Sequence, residues 1–206
     1  MSHRPKVFCV GFQKTGTTSL FAALTSLGYR TAAVVGRDLN AEQLARDGAA
    51  LCIEVAKVFD AAQDMPWPIF FRELDAAYPG SKFILTVRDS ASWYRSIEGH
   101  FGANPSELGA FIYGRDAAAP AGRRARYIEV YEAHEAAVRA HFASRPDDLL
   151  IMDLAAGDGW EKLCAFLGAR APDEPFPIRN AAEERNKLTF KLRRRVNRLF
   201  GRYLAP

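Results

Sequence analysis

Apolar residues recur along this chain in two alternating periods, and the alternation outlines its elements. Val7 to Val10 is a short, continuous, partly β-branched run, the pattern of a buried strand. Thr17 to Leu27 has the spacing of an amphipathic helix, and Gly28 stands where a helix C-cap belongs. Tyr29 to Val35 reads as a second strand, and Ala41 to Asp47 as a helix capped by Asn40. Leu51 to Phe59 is apolar in a way that suits either a helix or a strand. Asp64-Met65-Pro66-Trp67-Pro68 interrupts the pattern, and Ile69 to Tyr78 is helical up to Pro79-Gly80. Phe83 to Val87 is the clearest strand, apolar throughout as a central parallel strand is. Ser90 to His100 follows as a helix. Gly102 to Gly122, rich in Gly, Ala and Pro, reads as a partly ordered lid or acceptor loop. Arg123 to Phe142 is a long helix, Leu149 to Met152 a fourth strand, and Trp160 to Leu167 a helix ended by Gly168.

Strands alternating with helices imply parallel βαβ units, so the expected fold is α/β, three layers with a central parallel sheet flanked by helices. Ligands in such folds bind at the carboxyl ends of the strands. The loops after Val10 and Val87 both leave the sheet at that edge.

Composition narrows the setting. A chain of 206 residues that is 49% hydrophobic can bury one core, and a single domain over 1–206 is expected. No window of eighteen apolar residues exists, and no apolar segment of the secretory type follows the polar residues 1–6. Cys9, Cys52 and Cys164 are widely spaced and sit mostly in apolar runs, which favours small core residues in a reducing, cytoplasmic compartment over a disulfide framework. A net charge of +4 suits an anionic ligand. Basic and aromatic residues are not interleaved, so nucleic acid is not the expected partner. No His/Cys/carboxylate cluster has metal-ligand spacing, and no metal is expected.

The chemistry concentrates after the first strand. Gly11 to Gly16 is a glycine-bounded turn leading into a helix, so orphan amides and the helix dipole face an anion there. Lys14 adds a full charge inside the turn, and Thr15, Thr17, Thr18 and Ser19 add hydroxyls. A nucleotide-hydrolysing P-loop reads G-x-x-x-x-G-K-[ST]. Here Gly11 and Gly16 keep that spacing, but Thr17 occupies the lysine position and Lys14 lies within the loop.

A second constellation follows the Phe83–Val87 strand: Arg88-Asp89-Ser90-Ala91-Ser92-Trp93-Tyr94-Arg95-Ser96. Arginine suits a phosphate dianion because its planar fork donates two hydrogen bonds at once. Eight helical residues advance about 12 Å, so Arg88 and Ser96 grip one phosphate only if Arg88 reaches forward or the first turn is irregular. The alternative is an ion pair of Arg88 with Asp89 or another carboxylate.

Gln13-Lys14-Thr15-Gly16-Thr17-Thr18 resembles the sulfotransferase version of the phosphate loop, and the Arg88…Ser96 spacing resembles that family's 3′-phosphate segment. Trp160-Glu161-Lys162-Leu163-Cys164-Ala165-Phe166-Leu167-Gly168 is similar to its W-E-x-L-C-x-F-L-G segment, and Phe176-Pro177-Ile178-Arg179-Asn180 to the F-P-x-x-N segment after it. The resemblance runs from about Lys6 to Asn180 and implies a small, single-domain, P-loop-like sulfotransferase. It implies a co-substrate, 3′-phosphoadenosine 5′-phosphosulfate (PAPS), released as adenosine 3′,5′-bisphosphate (PAP). Lys14 and residues Thr15, Gly16, Thr17, Thr18 and Ser19 would then hold the phosphosulfate, and Arg88, Ser96 and Arg179 the 3′-phosphate. The chain departs from the cytosolic group in having Ser19 where a tryptophan stacks on adenine, and in lacking the R-K-G-x-x-G element.

Cytosolic relatives take their general base from a His-x-Pro segment roughly two dozen residues before the 3′-phosphate arginine. Asp64-Met65-Pro66 occupies that place, which makes Asp64 the candidate base beside Lys14 as catalytic residues. The competing role for Asp64 is an N-cap for the helix at Trp67, with His100 as the next candidate base. Two other readings stand: a P-loop kinase-like phosphotransferase, supported by the Leu149–Met152 strand ending in Asp153, and a non-catalytic nucleotide-binding module. The acceptor is expected to be a small molecule bearing a hydroxyl or amine, in an apolar pocket near Gly102–Gly122. The tail, 188–206, forms a basic amphipathic helix that packs on the domain or lies peripherally on an anionic membrane.

Overall fold

The computed structural model describes residues 4–178. Arg179 and the amphipathic tail 188–206 lie outside the described residues. Five parallel strands, β1 (Val7–Cys9), β2 (Thr31–Ala32), β3 (Ala61–Ala62), β4 (Lys82–Thr86) and β5 (Leu149–Met152), form one sheet in the order β2-β3-β1-β4-β5. Every pair is parallel, with Phe8 opposite both Ala62 and Phe83. Helices α1 (Thr17–Ser26), α2 (Ala41–Ala56), α3 (Phe71–Ala77), α4 (Ser90–Phe101), α5 (Glu107–Tyr113), α6 (Arg124–His141) and α7 (Trp160–Leu167) cover its faces.

The two-residue period of the strands sorts the core into layers. Phe8, Val10, Phe83 and Leu85 pack with Cys52, Phe71, Leu74, Val138 and Phe142 beneath α2, α3 and α6. Val7, Cys9 and Ile84 point the other way, onto Leu20, Leu24 and Leu163 of α1 and α7. This is the expected α/β architecture, a central parallel sheet between two helical layers. Because β1 is central, the loops leaving β3, β1 and β4 emerge side by side at the carboxyl edge.

Several elements differ from their sequence pattern. The apolar stretch from Leu51 continues the helix begun at Ala41 as far as Ala56, so α2 runs unbroken through Gly48. The second strand shortens to Thr31–Ala32, and Ala61–Ala62 is a further strand. Two alanines carry no strand signal of their own; position between β2 and β1 makes them one. The helix after Trp67 starts as a 3₁₀ turn, Trp67–Phe70, before α3. The stretch 102–122, expected as a partly ordered lid or loop, holds α5 and a 3₁₀ turn at Arg115–Ala117. Ser106 caps α5 by accepting from the Gly109 amide, and the Glu107 carboxylate accepts from the Ala41 amide at the start of α2 (2.8 Å).

Gly48 shows how tightly α2 packs. A Cβ there would lie 2.5 Å from Cζ of Phe70, whose ring stacks on Phe111 with centroids 5.9 Å apart. Alanine would add about 1 kcal/mol of helix propensity, but overpacking costs about 1–3 kcal/mol. Gly48→Ala should therefore lower the urea midpoint. In combination with Phe70→Leu it should cost less than the two single changes added together, since they share one contact.

Candidate active site

The loop after β1 is shaped by two glycines with different reasons for being there. A Cβ on Gly11 would sit 2.0 Å from Thr86 Oγ1, so only glycine lets the end of β1 lie against β4. Gly16 has φ 103 and is the N-cap of α1, with no side-chain cap and no acidic residue in the first turn. The first amides of α1 thus keep their positive ends without an intrahelical acceptor or a competing carboxylate. Lys14 sits between the glycines at φ 71. The Thr15 hydroxyl donates to Phe12 O (2.6 Å), and with its one proton used it accepts from Thr86 Oγ1 (2.6 Å). Thr15 therefore ties the loop to β4 through its hydroxyl, while Thr17, Thr18 and Ser19 form the first turn.

Arg88 reaches forward from the end of β4. Its Nε donates to Ser92 Oγ (3.0 Å) and its Nη1 to the carbonyl of Lys14 (3.3 Å), so the two sequence-predicted segments are hydrogen-bonded to each other. Asp89 does not pair with it; its carboxylate caps α4 by accepting from the Ser92 amide (2.8 Å). No carboxylate forms an ion pair with Arg88 among the described residues. Ser96 lies one helical turn beyond Ser92 on the same face of α4, about 6 Å further along the axis.

Helix α6 braces both segments. Tyr131 accepts from the Arg88 amide (2.9 Å) and donates to the Arg88 carbonyl (3.0 Å). One turn on, the His134 ring donates through Nε2 to the carbonyl of Val10 (2.7 Å), where β1 becomes the loop. His134 packs between Phe12 and Phe71, centroids 4.4 and 5.9 Å away. Burial holds its pKa down at about 4, with Arg72 adding to the shift. Burial also pushes the Tyr131 phenol up, and raises the neighbouring Glu135 carboxyl.

Asp64 follows β3 and is half-buried at φ 70. Lys14 and Asp64 are the two non-glycine residues with left-handed φ among those described. A lysine in that region is uncommon, and such conformations concentrate where surrounding structure holds a functional residue in place. The Asp64 carboxylate accepts from the Met65 amide (2.9 Å), while the 3₁₀ turn at Trp67 has Pro66 at its cap and no side-chain cap bond. The N-cap role is thus not the one it plays. His100 lies exposed in the last turn of α4, edge-on to Phe101, at the end of that helix remote from Arg88. Asp153, after β5, uses Oδ1 to accept from the amides of Ala155 and Ala156 (2.9 and 3.1 Å), closing a turn.

The family description of a sulfotransferase domain matches residues 6–114 and 110–185 of the chain. This protein belongs to the sulfotransferase family. It is 28% identical over 211 residues to Ava biosynthesis cluster protein M of Aspergillus versicolor, covering 84% of this chain and 79% of that protein. Its fold is similar to the crystal structure of a sulfotransferase from Alicyclobacillus acidocaldarius, with TM-score 0.55, 16% identity, and coverage of 97% of this chain and 92% of the other.

In this sulfotransferase, sequence reasoning missed Ser92, Tyr131 and His134. Ser92 was legible only as the residue Arg88 must pass to reach Ser96. Tyr131 and His134 stand three apart on a long helix and carry no signal until α6 is seen crossing the ends of β4 and β1.

The His134 environment sets a pH dependence. Its folded pKa lies below the ordinary 6.5, so between pH 6.5 and 4 the unfolded chain binds the extra proton. The stability it contributes is complete above that window and is lost as pH falls through it, up to about 3 kcal/mol. Thermal melting against pH should therefore fall more steeply for the native protein than for His134→Asn across that interval. Parallel curves would show that His134 is protonated without cost.

Proposed function

We propose that this sulfotransferase moves the sulfuryl group of PAPS to a hydroxyl of a small-molecule acceptor and releases PAP. The observation that carries the reading is the bond between the two anion-binding segments, Arg88 Nη1 to Lys14 O, with Arg88 left unneutralised by any described carboxylate. Two cationic side chains, a helix N-terminus without acidic neighbours, and glycines where backbone must approach closely suit a ligand carrying two separate phosphate groups.

PAPS supplies an activated sulfuryl group attached through an oxygen that takes up negative charge as the S–O bond breaks. Lys14 and the first amides of α1 lie along the loop that would stabilise that charge, fixed in advance by Gly11, Thr15 and Thr86. Arg88, and Ser96 one turn past Ser92, hold the 3′-phosphate, with Arg179 assigned to the same group from sequence alone. Asp64, carried on the neighbouring strand end, accepts the proton of the acceptor hydroxyl. The kinase alternative is weaker because Asp153 already serves its own turn and Thr17 replaces the lysine after Gly16. We propose a cytoplasmic setting as well, since Cys9, Cys52 and Cys164 are buried thiols.

Calorimetric titration tests the nucleotide. PAP should bind without added metal and more tightly than AMP, whereas equal affinities would remove the 3′-phosphate site. Arg88→Ala should weaken PAP by about 2–5 kcal/mol, more than it lowers the stability of the ligand-free protein, which loses the Ser92 and Lys14 carbonyl bonds.

Asp64→Asn keeps shape but cannot take a proton. Turnover of PAPS with an alcohol acceptor should fall by about 10²–10⁴-fold with PAP affinity unchanged. Lys14→Ala should lower both affinity and turnover. Near-normal turnover in Asp64→Asn would reject it as the base.

A further inference from the structure

Helix α6 meets both anion-binding segments, and it meets them at fixed heights along the sheet. Phe142, just past its C-terminal end, packs on Phe83 near the start of β4 with ring centroids 4.6 Å apart. Tyr131 meets Arg88 beyond the other end of β4. From Tyr131 to Phe142 the helix advances about 16 Å, and from Phe83 to Arg88 an extended chain also advances about 16 Å. The helix therefore runs antiparallel along β4 and carries the position of the core, through rigid backbone, to the edge where the loops begin.

At that edge α6 takes over from the neighbouring strands as hydrogen-bond partner. Val87 N–H still donates to Met152 O on β5 (2.8 Å), and Val10 N–H to Ile84 O on β4 (2.8 Å). One residue further along β4, the single Tyr131 hydroxyl accepts from the Arg88 amide and donates to the Arg88 carbonyl, as a strand neighbour would. His134 donates to the Val10 carbonyl and lays its ring against Phe12, so it touches the chain on both sides of Gly11. Tyr131 stacks on Trp93 with centroids 4.2 Å apart, which fixes the ring independently of its hydroxyl. Glu135, one turn on, touches the same hydroxyl from the helix side.

We propose that Tyr131 and His134 are positioning residues, each serving a different half of the nucleotide. Tyr131 holds the backbone of Arg88, whose guanidinium is aimed by Ser92 Oγ and the Lys14 carbonyl, and so sets the arm for the 3′-phosphate. His134 holds the strand end from which the Gly11–Gly16 loop springs, and so sets the Lys14 arm for the 5′ group. The inference rests on the PAPS reading above, and neither residue touches the ligand. A peptide left unheld at Arg88 would keep the guanidinium charge but spread its positions, which weakens a bidentate grip more than a general attraction.

Calorimetric titration with PAP and with AMP separates the two arms, because only PAP carries the 3′-phosphate. Tyr131→Phe keeps the stacked ring and deletes the hydroxyl. It should weaken PAP about tenfold and change AMP by less than about twofold. His134→Leu should weaken PAP and AMP by the same factor, about three- to tenfold. His134→Gln, which returns a side-chain N–H at similar reach, should recover most of that loss. A role confined to stability would lower the melting temperatures and leave both affinities native in every variant, and would overturn the assignment. A preference for PAP over AMP that survives Tyr131→Phe, or that falls as far in His134→Leu, would also overturn it while the PAPS reading stands. Should Tyr131→Phe fail to fold, the His134 variants decide: unequal losses for PAP and AMP in His134→Leu, or no rescue by His134→Gln, would overturn it. Equal affinity of the native chain for PAP and AMP would overturn the PAPS reading and this assignment together.

Discussion

How closely β1 and β4 approach at their carboxyl ends governs everything at this edge of the sheet. Gly11 has no Cβ because Thr86 Oγ1 occupies that space, and the Thr86 hydroxyl then reaches Thr15, whose own proton goes to Phe12 O. The loop is tied to the neighbouring strand by hydroxyls rather than by charges. From the same approach follows the bond from Arg88 to the Lys14 carbonyl. Widening the gap by one methyl group would separate the two segments that face the phosphates.

Helix α6 locks that geometry from one side. Its Tyr131 satisfies both backbone groups of Arg88, and His134 satisfies the carbonyl of Val10, so one rigid element sets the distance between the two strand ends. Proton supply constrains the arrangement further. Tyr131 has one proton and gives it to the Arg88 carbonyl, so an ionised Glu135 beside it has no phenolic proton to accept. Burial raises the Glu135 carboxyl at the same place, and its contact with Tyr131 opposes that shift.

The parts of the fold legible in the sequence were those whose chemistry is local. Val7 to Val10, Phe83 to Val87 and Leu149 to Met152 declare themselves as strands by continuous apolar character, and the Gly11–Gly16 loop by spacing. Ala61–Ala62 could not be read because its strand character comes from pairing with Val7 and Phe8 on one side and Thr31 and Ala32 on the other. α5 was hidden because Gly109, a poor helix former, is required there by the nearby Ala118 carbonyl, 2.1 Å from where a Cβ would stand. The same logic hid the continuity of α2 at Gly48. Tertiary contact chose those glycines, and composition alone read them as loop signals.

Lys14 and Asp64 illustrate the complementary case, where the residue was legible and its conformation was not. Each follows a glutamine whose side-chain amide oxygen is buried, Gln13 and Gln63, and each has left-handed φ in the loop after its strand. A loop selected for stability alone would place glycine or asparagine at such positions, as α1 does with Gly16 and α7 with Gly168. Keeping a lysine at φ 71 costs backbone energy that the Arg88 bond to its own carbonyl helps offset. The strained residue and the guanidinium that steadies it are thus parts of one device. Any substitution that relaxes Lys14 to glycine would ease the backbone and remove the charge together, which ties the strain to the charge the loop has to present.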